Sequence, residues 1–485
     1  MKAEARKFNW MTFLFIAVSV FVVVKCAVNP VTGKRELMLY TVQDEMVLGQ
    51  DTDKEIIEQY GLYNDPELET YINSLGQKMV PNTHRSSELT FTFRILDTEV
   101  INAFAVPGGY VYFTRGILAY LNNEAELAGV MGHELGHVSA RHSMKQMTKS
   151  TMMQLGLGIG SALSENFRQY ANLAGFGVQM LFLKFSRDNE READALGVEY
   201  STKTGYDSHA MADFFNTLER MQPDEGGVVP DWFSTHPDPV NRIQSVNTLT
   251  GEWQKKYPGK AFAKNANTYL NRVNGIAYGA DPRQGYVENS TFYHPTLKFQ
   301  FAVPASWTVQ NLSSQVQVTD PDQKAVLLLT VSDAATPLAA EEKFVAGSSA
   351  QVNAKRDATI NGLTARRIQT TIPSETDTVV SVSYFIQQPS QIIAFHGICA
   401  PEDMQTFEPV FDKTMGQFKT LSDAQFINRS PMKLVVKPAP ISGTLQQVFA
   451  KLGVSSDQMN DLSILNGKLP EDNIQKGTLI KLTQK

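Results

Sequence analysis

The sequence predicts a multidomain chain: a mainly α domain carrying a small sheet, then an α+β domain, then a small C-terminal module. Three observations predict it. Apolar residues recur at helical spacing from Thr41 to about residue 280, interrupted by a few short extended runs. From Phe292 to Cys399 the texture changes to repeated short β runs. The Pro-bearing stretch Ser430 to Pro440 then sets off Ile441 to Leu482. At ~150 residues per domain, 485 residues hold two or three domains. The expected division is residues 1–26 as a targeting segment, 27–285 as the mainly α domain, 286–425 as the α+β domain, and 426–485 as linker plus module.

The first element is an export signal. Lys2, Arg6 and Lys7 precede an apolar run from Trp10 to Val24, broken only by Thr12 and Ser19. The run is shorter than the ~20 residues that span a bilayer, which favours a signal over a stable anchor. Cys26 stands where a bacterial lipoprotein carries its lipidated cysteine, although Lys25 fills a place normally held by a small residue. An uncleaved short anchor and a buried free thiol are the alternatives. The body of the protein is expected on the periplasmic side of a bacterial envelope, held at a membrane through its N-terminus.

Two helical runs lie between Thr41 and Val80, parted by Gly61 to Asp65, with Asp65 placed to cap the second. Phe91 to Leu96 alternates like a strand. Two further extended runs, Asn102 to Val106 and Tyr110 to Thr114, flank a Pro-Gly-Gly turn. Asn123 and Glu126 have capping-box spacing and open one helix expected to continue towards Lys149. Thr151 to Phe185, rich in Gly, Ala, Met and Leu, resembles a membrane span, but Glu165, Asn166, Arg168 and Gln169 interrupt it. It is read as buried or flexible helix and loop. A helix from Ser186 should stop at Gly205, a fitting left-handed cap, and another spans Ser208 to Gln222. Pro223 to Asp238 is a loop, and Pro239 starts a helix to about Tyr257. Six β runs between Leu297 and Phe395, followed by a helix from Pro401 to before Leu421, define the α+β domain.

Composition excludes several functions. A net charge of -6 and a pI near 5.8 give no basic footprint for a phosphate backbone, so no nucleic-acid partner is expected. Two cysteines cannot build a disulfide framework or a cysteine-ligated zinc site. Chemistry must come from His, Asp, Glu and backbone.

His133-Glu134-Leu135-Gly136-His137 supplies it. Residues four apart share one helical face, so both imidazoles reach one zinc ion while Glu134 sits beside the metal's open side. The alternative is a polar surface helix. Downstream, Ser186 to Asp194 opens a second helix in which Glu190 and Asp194 are again four apart. Glu190 suits a third ligand, leaving a position for water, and Asp194 can accept the Nδ1 proton of a ligating histidine. Glu192 is expected to point elsewhere. His142, five residues beyond His137, is expected to face away into solvent, and His84, His209, His294 and His396 have no evident partner.

HELGH followed by SRDNEREAD resembles the zinc metallopeptidase family that includes bacterial HtpX and BepA and the eukaryotic prenyl-protein endopeptidases. Ala140 and Ser143 stand where a metzincin needs Gly and His. The resemblance spans most of Cys26 to Arg283 and includes Asn29 to Gly33, Asn102 to Gly109 and Ser234 to Pro239. It implies a zincin-like (gluzincin) fold, one Zn2+ per chain, and a hydrolase in which Glu134 is the general base. Arg242 and His236 are the candidates for oxyanion support. Asn102, Ala103, Phe104 and Ala105 resemble the edge strand on which family members lay extended substrates, ordinary sheet packing being the alternative. In the BepA-like branch the histidine of a Ser-Thr-His-Pro segment can close zinc's fourth position, which assigns His236 an autoinhibitory role here.

The implied function is extracytoplasmic endoproteolysis of misfolded or mis-assembled envelope polypeptides. The alternative is a polypeptide-binding assembly factor or chaperone in which zinc is mainly structural. Gly443 to Ile480 faintly resembles a peptidoglycan-binding lysin motif, with an undifferentiated small β/α fold as the other reading.

Overall fold

A computed structural model describes residues 26–156, 184–221, 232, 235–236, 239–373 and 378–485. The expected export signal, most of the stretch from Thr151 to Phe185 and most of the loop from Pro223 to Asp238 lie outside the described residues. Among the described residues no helix is long and apolar enough to cross a membrane. The chain forms two compact units. One takes residues up to Ile57, Leu62–Ile276 and Leu434–Thr483; the other takes Glu58–Gly61, Ala277–Lys433 and Gln484–Lys485.

The first unit begins with a hairpin of β1 (Cys26–Val28) and β2 (Arg35–Leu37), followed by α1 (Val42–Tyr60) and α2 (Pro66–Met79). Asp65 caps α2 by accepting from the Leu68 amide at 3.0 Å. A three-stranded sheet follows, built from β3 (Thr92–Leu96), β4 (Ala103–Val106) and β5 (Tyr110–Thr114). β5 is central, parallel to β3 and antiparallel to β4, so β4 is an edge. The β4–β5 turn needs glycine: Gly109 has φ 95°, and a Cβ there would lie 2.8 Å from the Thr90 carbonyl oxygen.

After α3 (Arg115–Tyr120) comes α4 (Glu124–Ser139), which carries HELGH. Asn123 caps it through the Glu126 amide at 2.9 Å, and the Glu126 carboxylate accepts from the Asn122 amide at 2.7 Å, one residue earlier than a simple capping box. The single helix expected to reach Lys149 is instead broken. Arg141 adopts φ 56°, and a new helix, α5 (His142–Gly156), starts beyond it. The cause is tertiary: buried Glu45 accepts from Arg141 Nε at 3.1 Å and from both Nη atoms of Arg85 at 2.7 and 3.0 Å. This charge cluster outweighs the modest local preference for continuing the helix.

α6 (Arg187–Thr204) starts on Ser186 and stops on Gly205 at φ 105°. α7 (His209–Glu219), α8 (Pro239–Lys255) and α9 (Ala266–Val273) complete the helical part. α4 and α6 meet through glycine. A Cβ on Gly132 would lie 2.9 Å from the Gly197 carbonyl oxygen, and one on Gly197 would lie 2.9 Å from the His133 amide nitrogen.

The second unit is built on a seven-stranded antiparallel sheet. Its strands run Thr308–Asn311, Gln315–Thr319, Ala325–Ser332, Ile392–Cys399, Thr378–Gln387, Leu363–Pro373 and Gln351–Ile360. Alternate residues of Ile392–Cys399 serve opposite faces: Ile393 and Phe395 join the cluster with Phe407 and Phe411, while Ile392 and Ala394 join Ala340 and Phe385. Helices Met404–Gly416 and Pro337–Ser348 cover the two faces.

The tail departs from expectation. Met432–Pro438 is a strand rather than a linker, and residues 434–483 belong to the first unit rather than standing alone. Their core is strand, helix, helix, strand: Gly443–Thr444, Leu445–Leu452, Met459–Leu465 and Asn473–Ile474. Lys481, fully buried, explains the attachment. Its Nζ donates to the Ala119 and Leu121 carbonyl oxygens at 2.7 and 2.9 Å, just before α4 begins.

Candidate metal centre

α4 contributes His133, Glu134 and His137 to one buried site, and α6 contributes Glu190 and Asp194. His133 and His137 lie one turn apart on α4, with Nε2 atoms 3.0 Å from each other. Glu190, in the first turn of α6, places Oε2 3.6 Å from His133 Nε2 and Oε1 3.5 Å from His137 Nε2. His236 approaches from the segment before α8, its Nδ1 3.2 Å from His133 Nε2 and 3.1 Å from Glu190 Oε2. One donor atom from each of the four falls within 4.8 Å of all the others. Donors at ~2.1 Å around a tetrahedral zinc lie roughly 3.4 Å apart, so three imidazoles and a carboxylate at these spacings fit that ion.

One carboxylate and an arginine frame the ligands. Asp194 Oδ1 accepts from His133 Nδ1 at 2.9 Å, which leaves Nε2 as the free lone pair. Arg242 grips Asp194 through Nε at 2.8 Å and Nη2 at 2.7 Å, and its Nη1 lies 3.0 Å from Glu190 Oε2. All three guanidinium nitrogens therefore serve carboxylates. Arg242 is held in the framework of the site rather than aimed at a reacting oxygen, because two adjacent buried anions demand a partner.

Electrostatics separates the three carboxyls. Burial and then the neighbouring Glu190 charge push Glu134 well above the ordinary carboxylate range. Burial would raise Glu190 too, but His236 and Arg242 more than offset it and hold it well below that range. Asp194 is likewise lowered, with burial outweighed chiefly by Arg242. Burial lowers both His133 and His137, so their neutral, ligating forms are favoured.

Glu134 Oε1 and His236 Nε2 face each other at 3.8 Å, and neither has a hydrogen-bond partner among the described residues. The Ala105 backbone amide of β4 supports the Glu134 carboxylate. Ala103, Phe104 and Ala105 lie in β4, with Asn102 just before it; all four are buried, and Phe104 stacks on Tyr112 with centroids 4.9 Å apart. His236 stacks on buried Trp232 at 4.1 Å, and its amide donates to the Trp232 carbonyl at 2.7 Å.

Two expectations fail here. His142 is not solvated but buried, with Nδ1 3.0 Å from His137 Nδ1, and Glu192 Oε2 lies 3.1 Å from His142 Nε2. The break at Arg141 is the reason: five residues no longer measure an angle around one helix axis. Phe185 covers both rings, 4.2 Å from His137 and 5.9 Å from His142 between centroids. His84 also gains a partner, Tyr200 Oη at 2.7 Å from its Nδ1. Trp232 carries no sequence signal at all, since its role depends only on where His236 folds.

Comparison with known proteins finds similarity across this site. Residues 66–250 match Peptidase family M48. Over 248 residues the chain is 32% identical to the putative beta-barrel assembly-enhancing protease of Vibrio cholerae, covering 49% of each protein. It is 32% identical over 222 residues to the beta-barrel assembly-enhancing protease of Escherichia coli K12, covering 44% of this chain and 45% of that one. Mitochondrial metalloendopeptidase OMA1 of Schizosaccharomyces pombe is 28% identical over 260 residues, 52% of this chain and 74% of that protein. The chain thus spans about half the length of the two bacterial relatives.

Proposed function

We propose that the peptidase family M48 domain at residues 66–250 is a zinc endopeptidase acting on misfolded or mis-assembled polypeptides of the bacterial envelope, held at rest by His236. The observation that carries this reading is the convergence of His133, His137, Glu190 and His236 beside a Glu134 whose carboxyl is raised. Zinc bound by these residues would lower the pKa of a coordinated water to about 7 and polarise the scissile carbonyl. Glu134 takes the proton of the attacking water and returns it to the leaving amine, a role suited to a carboxyl with a raised pKa. Asp194 and Arg242 keep His133 in its ligating tautomer and Glu190 ionised.

His236 occupies the corner that water and substrate need, and its Nε2 stands opposite Glu134. Substrate access requires its withdrawal. The edge strand β4, linked to Glu134 through Ala105, is where extended polypeptide would then pair by main-chain hydrogen bonds. The bacterial relatives named for beta-barrel assembly motivate the envelope substrate class. Attachment to a membrane through the N-terminus and contact of residues 441–482 with peptidoglycan complete the reading.

One observation favours a second reading. Four protein donors around one point, with no open corner, are the mark of a structural zinc site. The chain would then be a polypeptide-binding assembly factor or chaperone. Casein hydrolysis and zinc content of wild type, His236→Ala and Glu134→Gln decide between them. The enzyme reading expects zinc in all three, faster hydrolysis in His236→Ala, and a loss of about 10²–10⁴-fold in Glu134→Gln. Equal, negligible hydrolysis in all three, with zinc retained, would support the binding protein.

A further inference from the structure

We infer that His142 and Glu192 form an arm that fixes which ring nitrogen of His137 faces the metal, an inference that rests on the zinc-site reading above. The arm has one consistent hydrogen-bond order. Glu192 is a carboxylate and can only accept, so His142 carries its proton on Nε2 and donates it across 3.1 Å. His142 Nδ1 is then an acceptor, and among the described residues the donor that faces it, 3.0 Å away, is His137 Nδ1. With its proton on Nδ1, His137 must present a bare Nε2 to His133, Glu190 and the metal.

The two histidine ligands of α4 are thus ordered by different devices. His133 meets Asp194 directly. His137, one helical turn on, connects its Nδ1 to a carboxylate through an intervening imidazole. That imidazole is available because the chain restarts at His142 after the left-handed Arg141, bringing α5 back beside the end of α4. Phe185 closes the arm from water on one side, against both rings. Glu192, at 26% side-chain exposure, is its outer end. Both are positioning residues: neither reaches the reacting atoms.

Zinc affinity by chelator competition, and the visible spectrum of the cobalt-substituted protein, test the arm on the full chain. His142→Phe keeps a ring but no acceptor, and Glu192→Ala removes the anchor. Each is expected to weaken zinc binding by about 10-fold or more and to alter the cobalt spectrum. His142→Gln can accept with its amide oxygen and donate with its amide nitrogen, so it is expected to stay within about 3-fold of wild type. A mere packing role would not be rescued this way. If His142→Phe does not fold, as judged by thermal melting of the metal-free protein, the partly exposed Glu192→Ala decides alone. Wild-type affinity and spectrum in folded Glu192→Ala would overturn the arm, as would failure of His142→Gln to rescue. A wild-type protein that takes up no zinc is a different result: it would remove the metal-centre reading itself, and the arm with it.

Discussion

Arg242 is buried and faces two carboxylates of α6, so its charge is the condition under which Asp194 and Glu190 can both stay ionised. Removing it strands two buried anions, whereas Arg242→Lys keeps a charge but loses the bidentate grip on Asp194. Arg242→Met is expected to cost about 3–5 kcal/mol in urea unfolding of the metal-free protein, with Arg242→Lys intermediate. Equal midpoints for the three proteins would show that the network contributes nothing. The residues themselves were legible in sequence to very different degrees. His133, Glu134, His137, Glu190 and Asp194 announce themselves by spacing on two helices. His142 and Glu192 were readable only as letters, because their meeting depends on a backbone break that a distant Glu45 imposes.

At the scale of elements, the site exists because α4 and α6 touch at backbone distance. Gly132 and Gly197 face each other across that crossing, where a Cβ at 197 would meet the His133 amide at 2.9 Å. Gly197→Ala must therefore push the two helices apart by tenths of an ångström and shift the imidazoles relative to Glu190. We expect about 1–3 kcal/mol of destabilisation, in the range for overpacked cores, together with weaker zinc binding. Unchanged zinc affinity in this variant would mean that the crossing does not set ligand geometry. α1, α2, α6, α7, α8 and the strands of the small sheet follow from periodicity and capping residues, whereas the short α3 and α9 were not anticipated. The strand Gln351–Ile360 was not foreseen, because it is a polar, largely exposed edge without an alternating apolar face. Helix Pro337–Ser348 was missed despite the Thr336 cap that starts it.

At the scale of the whole molecule, the second unit carries an acid response of its own. In the second unit burial drops His396 to about 4, its ring set between Ser383 and Phe344, and lowers His294 to about 4 as well. Unfolded, each would titrate near 6.5, so between these values the unfolded chain binds more protons and stability rises with pH. The contribution is whole above about pH 6.5 and is lost as pH falls towards 4, roughly 3 kcal/mol for a fully buried imidazole. Calorimetry of wild type and His396→Gln from pH 7 to 4.5 checks this: the variant's transition for this unit should depend less steeply on pH. Identical pH dependence would assign the effect elsewhere. The domain plan was less legible than the site, since no local pattern reveals that a tail returns to an earlier unit.

That return has a temporal consequence. The carbonyls ahead of the HELGH helix wait for an ammonium group more than three hundred and fifty positions downstream. While the ribosome still holds residue 481, those carbonyls lack this donor, so the contact that fastens the tail ahead of the HELGH helix is among the last to form.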